Sequence, residues 1–121
     1  MVLIRNVPII FGALLMGVPA FAAGSVRVEG KNIRIEFDTA MHSKVAATFA
    51  GREHAIGGFT ASESIRVAGS DVDNFSLQKH TREPIQDRLG AGFRTVIAGT
   101  APGLKKTVSV TVYNRFPRMA F

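Results

Sequence analysis

Apolar and polar residues alternate with a period of two along most of the chain after residue 25, and this pattern restricts the fold more than any other sequence feature. Residues 26–29 read Val-Arg-Val-Glu, and residues 33–37 read Ile-Arg-Ile-Glu-Phe. Such alternation places the apolar side chains on one face of a β-strand, where they can be buried. Gly30-Lys31-Asn32 lies between the two runs and suits a tight turn, so we predict a β-hairpin.

Further short apolar runs continue this pattern to the end of the chain, at residues 45–49, 54–56, 65–67, 75–77, 93–98 and 104–113. The only helical candidate is "EPIQDRLG", where Pro84 suits a first helical position and Gly90 suits the position after the end. We predict one or two helical turns there, as a connector. About eight short strands with frequent turns are typical of an antiparallel sandwich or barrel, and we predict an all-β antiparallel β-sandwich.

The first 22 residues differ from the rest and predict a helical signal peptide. Arg5 is their only charged residue, and the apolar run "VPIIFGALLMGVPAFA" follows it. Ala20-Phe21-Ala22 has the small-x-small pattern that signal peptidase cleaves. Cleavage after Ala23 is disfavoured because it would put Phe21 in a pocket for a small side chain. We predict a signal peptide over residues 1–22, a β-sandwich domain over 23–121, and a secreted or periplasmic location.

An uncleaved membrane anchor is the alternative for this N-terminal segment. The run is short for a membrane span, which needs about 20 apolar residues, and Pro8 and Pro19 interrupt it. We therefore predict no membrane association after signal cleavage. The chain contains no cysteine, so its stability in an oxidising compartment would depend on packing rather than on disulfides.

The net charge of +6 raises the question of nucleic-acid binding. Lys105-Lys106 is the only adjacent basic pair, and the other basic residues are scattered along predicted strands. Scattered charges of this kind are typical of solvated strand faces. We predict no nucleic-acid partner.

Candidate catalytic and metal-binding residues are few. Glu36 and Asp38 would lie on one strand face at a spacing that two glycosidase carboxylates could use, but exposed alternating charges, with Arg34 paired to Glu36, explain the same pattern. Asp71 and Asp73 resemble the start of a calcium loop, but Phe75 stands where a third oxygen ligand is needed. Two aspartates capping a turn explain that stretch better.

Histidine, serine and glycine patterns also give no site. No two of the histidines, His42, His54 and His80, have the local spacing of a metal-binding pair. The serines at positions 43, 62, 64 and 76 lie outside any G-x-S-x-G elbow, and no helix follows Gly90-x-Gly92. The chain has no Trp and a single Tyr, Tyr113. We therefore predict no catalytic, cofactor-binding or metal-binding residues and no cofactor.

Phenylalanine placement suggests a core and an interface. We expect Phe37, Phe49 and Phe75 to be core residues, because they fall on apolar strand faces. We expect Phe59, Phe116 and Phe121 to lie in loops or at the end and to contact another domain.

Three stretches, "IRIEFDTAMHSKVAATFAG", "IGGFTASESI" and "LKKTVSVTVYNRFPRMAF", resemble the N-terminal domain of bacterial α-galactosidases of glycoside hydrolase family 36. The matching features are the strand at residues 33–38, the Ser-x-Val stretch at 43–45, the Gly-x-Phe-Thr-x-Ser-Glu loop at 57–63 and the Tyr-x-x-Phe-Pro ending at 113–117. The resemblance covers nearly all of residues 23–121, and its motifs are short and structural.

The resemblance implies a secreted enzyme whose first domain is a large β-sandwich, a supersandwich, followed by a catalytic (β/α)₈ barrel and a C-terminal β domain. The family's two catalytic aspartates lie in the barrel, and no position of this chain corresponds to them. The chain would then be a non-catalytic fragment of an O-glycosidase. Its apolar ending, Met119-Ala120-Phe121, would be the start of a strand whose continuation is missing.

Two functional hypotheses therefore stand. The first is a non-catalytic β-sandwich segment of a secreted α-galactosidase-like enzyme, acting as scaffold or interface to the absent barrel, with homo-oligomer contacts left open. The alternative is a complete small periplasmic or secreted β-sandwich binding protein. An enzyme in its own right lacks support from any convergent set of polar residues.

Overall fold

A computed structural model describes residues 21–22, 24–115 and 119–120, with side chains described for 24–115. Its described part is all β, as the alternation predicts, and contains no helix. The strands are β1 (Phe21–Ala22), β2 (Val26–Glu29), β3 (Ile33–Phe37), β4 (Ser43–Phe49), β5 (Arg52–Thr60), β6 (Ile65–Val67), β7 (Ser70–Val72), β8 (Ser76–Asp87), β9 (Gly90–Ala101), β10 (Leu104–Tyr113) and β11 (Met119–Ala120). Apart from residues 21–22, the predicted signal peptide lies outside the described residues. Phe116 and Phe121 also lie outside them.

The strands form two antiparallel sheets and a small hairpin. The first sheet has the order β2-β3-β4-β5, the second has the order β1-β8-β9-β10-β11, and β6 pairs with β7. The apolar faces of the two sheets share one core in a sandwich-like arrangement. The buried members of this core are Val26, Val28, Ile35, Phe37, Met41, Phe75, Leu77, Ile97 and Val110.

Tight turns explain why consecutive strands pair. Ala50-Gly51 and Ala68-Gly69 both have positive φ at their two central residues, which is the geometry of a type I′ hairpin turn. Pro102-Gly103 joins β9 to β10, and Gly103 supplies the positive φ of 72° that a type II turn requires after proline. The predicted β2–β3 hairpin is confirmed, with Val28 opposite Ile35.

The loop between β3 and β4 turns back into the core. The Asp38 carboxylate oxygen Oδ1 accepts hydrogen bonds from the backbone N–H groups of Ala40 and His42, each at 2.9 Å. This closure puts Met41 in the left-handed region, at φ 59°, and buries its side chain completely. A non-glycine residue pays about 1–2 kcal/mol for that conformation, so the burial of the Met41 side chain must offset it.

The same loop connects the two sheets. Phe75 donates its backbone N–H to Ala40 at 3.1 Å, and Leu77 donates to Thr39 at 2.9 Å. A side chain on Gly99 of β9 would collide with the sulfur of Met41 and would lie only 2.7 Å from the Ser76 carbonyl oxygen. Gly99 is therefore the position of the second sheet that admits Met41 from the loop of the first.

The helical connector predicted at "EPIQDRLG" is wrong. Residues 84–87 continue β8, with Pro84 opposite Phe93 and Asp87 opposite Gly90, and only Arg88-Leu89 form a turn. Pro84 is tolerated because β1 pairs with β8 only at Lys79 and His80, so β8 has one described neighbour at Pro84. Long pairing with β9 outweighs the helix-start preference of a short Pro-containing segment.

The prediction that Phe49 is a core residue is also wrong, because 60% of its surface is exposed. Phe49 is the last residue of β4 and pairs with Arg52 beside the β4–β5 turn, in a part of the first sheet that the core does not reach. Phe37 and Phe75 are buried as predicted. Phe59 is on strand β5 rather than in a loop.

No helix among the described residues is long and apolar enough to cross a membrane.

Replacement of Gly99 by Ala tests the contact between the loop and the second sheet. We expect Gly99→Ala to lower the free energy of unfolding by roughly 1–3 kcal/mol, because the added methyl group must displace Met41 or the backbone at Ser76. Gly58→Ala is the matched control, since no atom lies within 4 Å of a methyl group there, and it should leave stability unchanged or slightly raised. Urea unfolding of the full chain, followed by circular dichroism, measures both; equal stability of the two variants contradicts the contact.

Candidate functional site

The outer face of the first sheet carries a network of charges around Glu36. Glu36 lies 2.7 Å from Arg34, 3.4 Å from Lys44 and 3.5 Å from Arg27. Burial works to raise the pKa of Glu36, but the three cations outweigh it and hold that pKa below its usual value. The predicted pairing of Arg34 with Glu36 is confirmed, and Arg34 also makes a two-point contact with Glu53. This carboxylate is therefore committed to the sheet.

Asp38 does not share a strand face with Glu36, contrary to the prediction. β3 ends at Phe37, and the Asp38 carboxylate turns into the following loop to bind the amides of Ala40 and His42. The two carboxylates hold separate partners. Glu36 and Asp38 therefore do not form the pair of free carboxylates, facing each other across an open space, that glycoside hydrolysis requires.

The other candidate ligands are separated or engaged. Asp71 lies on β7 and forms an ion pair with Arg66 at 3.0 Å, so the prediction of a turn-capping aspartate is replaced by a cross-strand pair. The His42 ring lies 3.9 Å from Asp38, and the His54 ring packs against Phe49 at 5.6 Å. Within residues 24–115 and the two described end pairs, no three His, Asp or Glu side chains are grouped to hold a metal ion.

Two of the candidate serines form hydrogen bonds with neighbouring side chains, and the two candidate glycines lie in a strand. The Ser62 hydroxyl donates to the neighbouring Glu63 carboxylate at 2.6 Å, and the Ser76 hydroxyl lies 3.3 Å from the Gln78 amide nitrogen. Gly90 and Gly92 begin β9, which is a strand, so they do not form a phosphate-binding loop.

Strand β10 carries a buried lysine, Lys106, that is paired with a carboxylate. Lys106 lies among the inward-facing residues of β10, with its ammonium 2.5 Å from Glu63 and 5.3 Å from the centre of the Phe75 ring. Burial works to raise the pKa of Glu63, but hydrogen bonds from Lys106 and Ser62 outweigh it and lower that pKa. The ion pair ties the loop before β6 to the second sheet.

An apolar cleft of about 290 Å³ lies next to this ion pair. Its walls come from both sheets and from the loop that carries Glu63; they are Ile35, Phe37, Ser43, Val45, Ser62, Glu63 and Val108. Ser62 and Glu63, two of its three polar residues, are engaged with each other, so the cleft is better described as an incompletely filled part of the core than as a reaction site.

Tyr113 and Asp87 form a hydrogen bond across the outer face of the second sheet. The Tyr113 hydroxyl donates to the Asp87 carboxylate at 2.8 Å, and the Leu89 backbone N–H donates to the same carboxylate at 2.8 Å. The hydrogen bond from Tyr113 is the largest reason why the pKa of Asp87 is lowered, and the same bond raises the pKa of Tyr113. The pair links the end of β10 to the β8–β9 turn.

A second cleft, of about 460 Å³, opens where the β2–β3 turn faces β8, β9 and β10. We call it the end cleft. It is lined by Arg27, Val28, Glu29, Gly30, Lys31, Arg82, Phe93, Thr95, Val112, Tyr113 and Asn114. The guanidinium of Arg82 lies over the Phe93 ring at 3.7 Å. Cations outnumber carboxylates in this lining, so the cleft has a positive rim over an apolar floor.

Sequence reasoning missed both the end cleft and the buried Lys106. The end cleft could not be found, because Lys31, Arg82 and Phe93 come from three separated segments with no motif. Lys106 carried a usable signal, since the period of two places it on the same face as Leu104, Val108 and Val110. A lysine at such a position needs a partner.

Comparison of the chain with protein-family models, with curated proteins and with solved structures finds no match. The resemblance to family 36 α-galactosidases therefore stays a prediction.

Removal of the Tyr113 hydroxyl tests the link between β10 and the β8–β9 turn. We expect Tyr113→Phe to raise the pKa of Asp87 toward its usual value, because the largest cause of the lowered pKa is lost. The contribution of this carboxylate to stability is present above its unfolded pKa and is lost as the pH falls through its folded pKa. Ser109→Ala, on the same face of β10, is the control. NMR titration of the Asp87 carboxyl measures the effect, and an unmoved pKa in Tyr113→Phe contradicts it.

Replacement of Lys106 by Met or Ala distinguishes the contribution of its side-chain packing to stability from the contribution of its charge. We expect Lys106→Met to leave the free energy of unfolding at neutral pH unchanged or higher, because Met fills the space without a buried charge. Lys106→Ala should lower it by roughly 2 kcal/mol through lost packing of the side-chain stem.

Lys106→Met should also raise the pKa of Glu63, since a cause of its lowering is removed. The wild-type chain should then lose more stability than Lys106→Met as the pH falls through the folded pKa of Glu63. Urea unfolding at neutral and acidic pH measures both effects. A strongly destabilised Lys106→Met variant would show that the ion pair itself supports the fold.

Proposed function

We propose that this chain is a non-catalytic N-terminal β-sandwich segment of a secreted α-galactosidase-like glycoside hydrolase. In this role it acts as a scaffold and interface for the catalytic (β/α)₈ barrel of the parent enzyme and forms part of a larger supersandwich. The observation that carries the proposal is a set of exposed apolar side chains on and after β5 that the sandwich leaves uncovered.

These side chains are concentrated in one segment of the chain. Five of the seven large apolar side chains that are exposed in the described residues lie between residues 49 and 67. They are Phe49, Ile56, Phe59, Ile65 and Val67. We call this stretch the apolar segment 49–67. Scattered exposed apolar residues need no explanation, but such a concentration is typical of an interaction surface.

One cross-strand row explains why β5 is uncovered. Val28, Ile35, Val45 and Ile56 are neighbours across β2, β3, β4 and β5. The first two are buried and Val45 is half-buried, but Ile56 is 61% exposed. The row keeps its apolar character across all four strands, whereas its cover from the second sheet ends before β5. A covering partner would complete the burial of the row.

The backbone of β5 points to the same edge. β5 is the last strand of the first sheet and pairs only with β4 among the described residues, and all nine of its residues are exposed. An edge strand of this length offers unpaired N–H and C=O groups to another chain or domain. The register shift in the β4–β5 pairing bends part of this edge but leaves it open.

Four of the described carboxylates support a non-catalytic role, because their partners are structural. Glu36 binds three cations, Asp38 binds backbone amides, Glu63 binds Lys106, and Asp87 binds Tyr113. A glycosidase needs one carboxyl group as acid and one as base or nucleophile, both directed at substrate. In this proposal the parent barrel supplies that pair.

The alternative is a complete small secreted or periplasmic binding protein, and the end cleft favours it. Such a protein would be a monomer that unfolds cooperatively and keeps the apolar segment 49–67 exposed without a partner. The two functions differ in whether that segment is covered.

Two isoleucines in the same row test whether the open face contributes to stability of the chain alone. We expect Ile35→Ala to lower the free energy of unfolding by roughly 2–5 kcal/mol, because Ile35 is 3% exposed. Ile56→Ala should cost less than about 1 kcal/mol and should reduce self-association, because Ile56 faces solvent. Urea unfolding and sedimentation of the full chain measure the two effects; an equal loss of stability would show that the open face is already buried.

The DNA that follows codon 121 in the source genome tests the proposed partner directly. Sequence encoding a (β/α)₈ barrel, in frame or after a frameshift, supports the proposal, and the lack of any barrel-coding sequence there contradicts it. If the barrel is then produced separately, Ile56→Lys should prevent its co-purification with this chain. Leu89→Lys, at an exposed apolar position in the β8–β9 turn, should not.

A further inference from the structure

The end cleft has the size and composition of a small-molecule site. Its volume of about 460 Å³ lies within the range of ligand pockets, roughly 300–1,000 Å³. It opens at the end of the sandwich, between the β2–β3 turn of the first sheet and strands β8, β9 and β10 of the second. Because no described chain segment fills this opening, its floor is available to a ligand.

The floor is apolar and partly uncovered. Val28, Phe93 and Val112 line it from three different strands. Phe93 and Val112 are cross-strand neighbours on the inner face of the second sheet, where a phenylalanine would normally be buried. Phe93 instead remains 37% exposed. A flat apolar group placed in the cleft would therefore remove this surface from water.

The rim carries two cations whose charge is uncompensated. Arg27 is held between Glu29 at 3.6 Å and Glu36 at 3.5 Å. Arg82 and Lys31, in contrast, form no ion pair with any described residue, and both line the cleft. Glu29 is the only carboxylate of the lining and is engaged by Arg27, so Arg82 and Lys31 leave a net positive charge.

Arg82 is also oriented by its surroundings. Its guanidinium carbon lies 3.7 Å from the centre of the Phe93 ring, and a guanidinium that contacts a ring through its face keeps its in-plane N–H donors available. Those donors match the two oxygens of a carboxylate or the oxygens of a phosphate. The contact with Phe93 places the guanidinium beside the apolar floor of the cleft.

We propose that the end cleft binds a small organic anion with a flat apolar ring. The oxyanion of the ligand, a carboxylate or a phosphate, is held by Arg82 and Lys31, and its ring packs against Val28, Phe93 and Val112. Both halves of the ligand are needed, because the exposed cations alone would bind any counterion weakly. The inference does not depend on the proposed scaffold function.

Four probes separate the oxyanion from the ring and one oxyanion from the other. Benzoate and phenyl phosphate carry a ring with each oxyanion, benzyl alcohol carries the ring without charge, and acetate carries the carboxylate without the ring. Each is titrated into the full ¹⁵N-labelled chain while amide chemical shifts are followed. We expect shifts confined to residues 28–31, 82, 93–95 and 112–114 for benzoate or phenyl phosphate, with Kd on the order of 1–10 mM.

Benzyl alcohol and acetate should each bind at least fivefold more weakly than the better aromatic anion. The comparison of benzoate with phenyl phosphate shows which oxyanion the cleft prefers. Equal binding of benzyl alcohol would overturn the proposal in favour of a purely apolar groove. Lack of any shift in the cleft with both aromatic anions would overturn it entirely.

Single charge removals test the two cations. Arg82→Gln and Lys31→Gln should each weaken binding of the better aromatic anion by roughly fivefold or more. Lys105→Gln removes an exposed cation outside the lining, and it should leave the affinity unchanged. Equal weakening by Lys105→Gln would show attraction to net charge only and would contradict the proposal. The amide spectrum of each variant reports whether the fold is retained.

Discussion

The contact of Met41 with Gly99 joins the two sheets, and the rest of the sandwich depends on it. Asp38 binds the amides of Ala40 and His42 and so forces Met41 into a left-handed conformation that points its side chain inward. The position opposite must then lack a Cβ, which Gly99 supplies. One carboxylate and one glycine, 61 positions apart in the printed sequence, therefore set how the first sheet meets the second.

Several other described carboxylates, like Asp38, have partners that hold the fold together. Asp38 is needed for the loop, Glu36 for the charge network on the outer face, and Glu63 for the neutralisation of buried Lys106. A chain without disulfides and with a modest core uses such polar contacts to fix its loops and edges. The features on which the two proposals depend are on the surface: exposed apolar side chains on and after β5, and an open cleft lined by more cations than carboxylates.

The period-two pattern was enough to predict an antiparallel all-β fold and the first hairpin, because each strand carries its own evidence of a buried face. It was not enough to predict which faces are covered. Ile35 and Ile56 look alike in sequence and lie in one row, yet only Ile35 is buried. That difference depends on how far the second sheet extends over the first, which no local pattern encodes.

Other failures have the same origin. Pro84 and Gly90 form a good local helix signal, but the pairing of β8 with β9 over twelve residues outweighs it. The end cleft is invisible in the sequence, because Lys31, Arg82 and Phe93 meet only after both sheets have formed. Lys106 is the exception, since a lysine within an otherwise apolar strand face already implies a buried partner.

The two proposed functional surfaces lie on opposite borders of the first sheet, and this separation makes the two proposals compatible. The order β2-β3-β4-β5 places β5 at one border and β2, whose end lines the cleft, at the other. A domain that covers Ile56 and the backbone edge of β5 would therefore meet the sheet with two strands, β3 and β4, between it and the cleft strand β2. If both proposals hold, the sandwich binds a partner at one border and a small anion at the other, and the middle strands β3 and β4 and the Met41 loop connect both borders to one core.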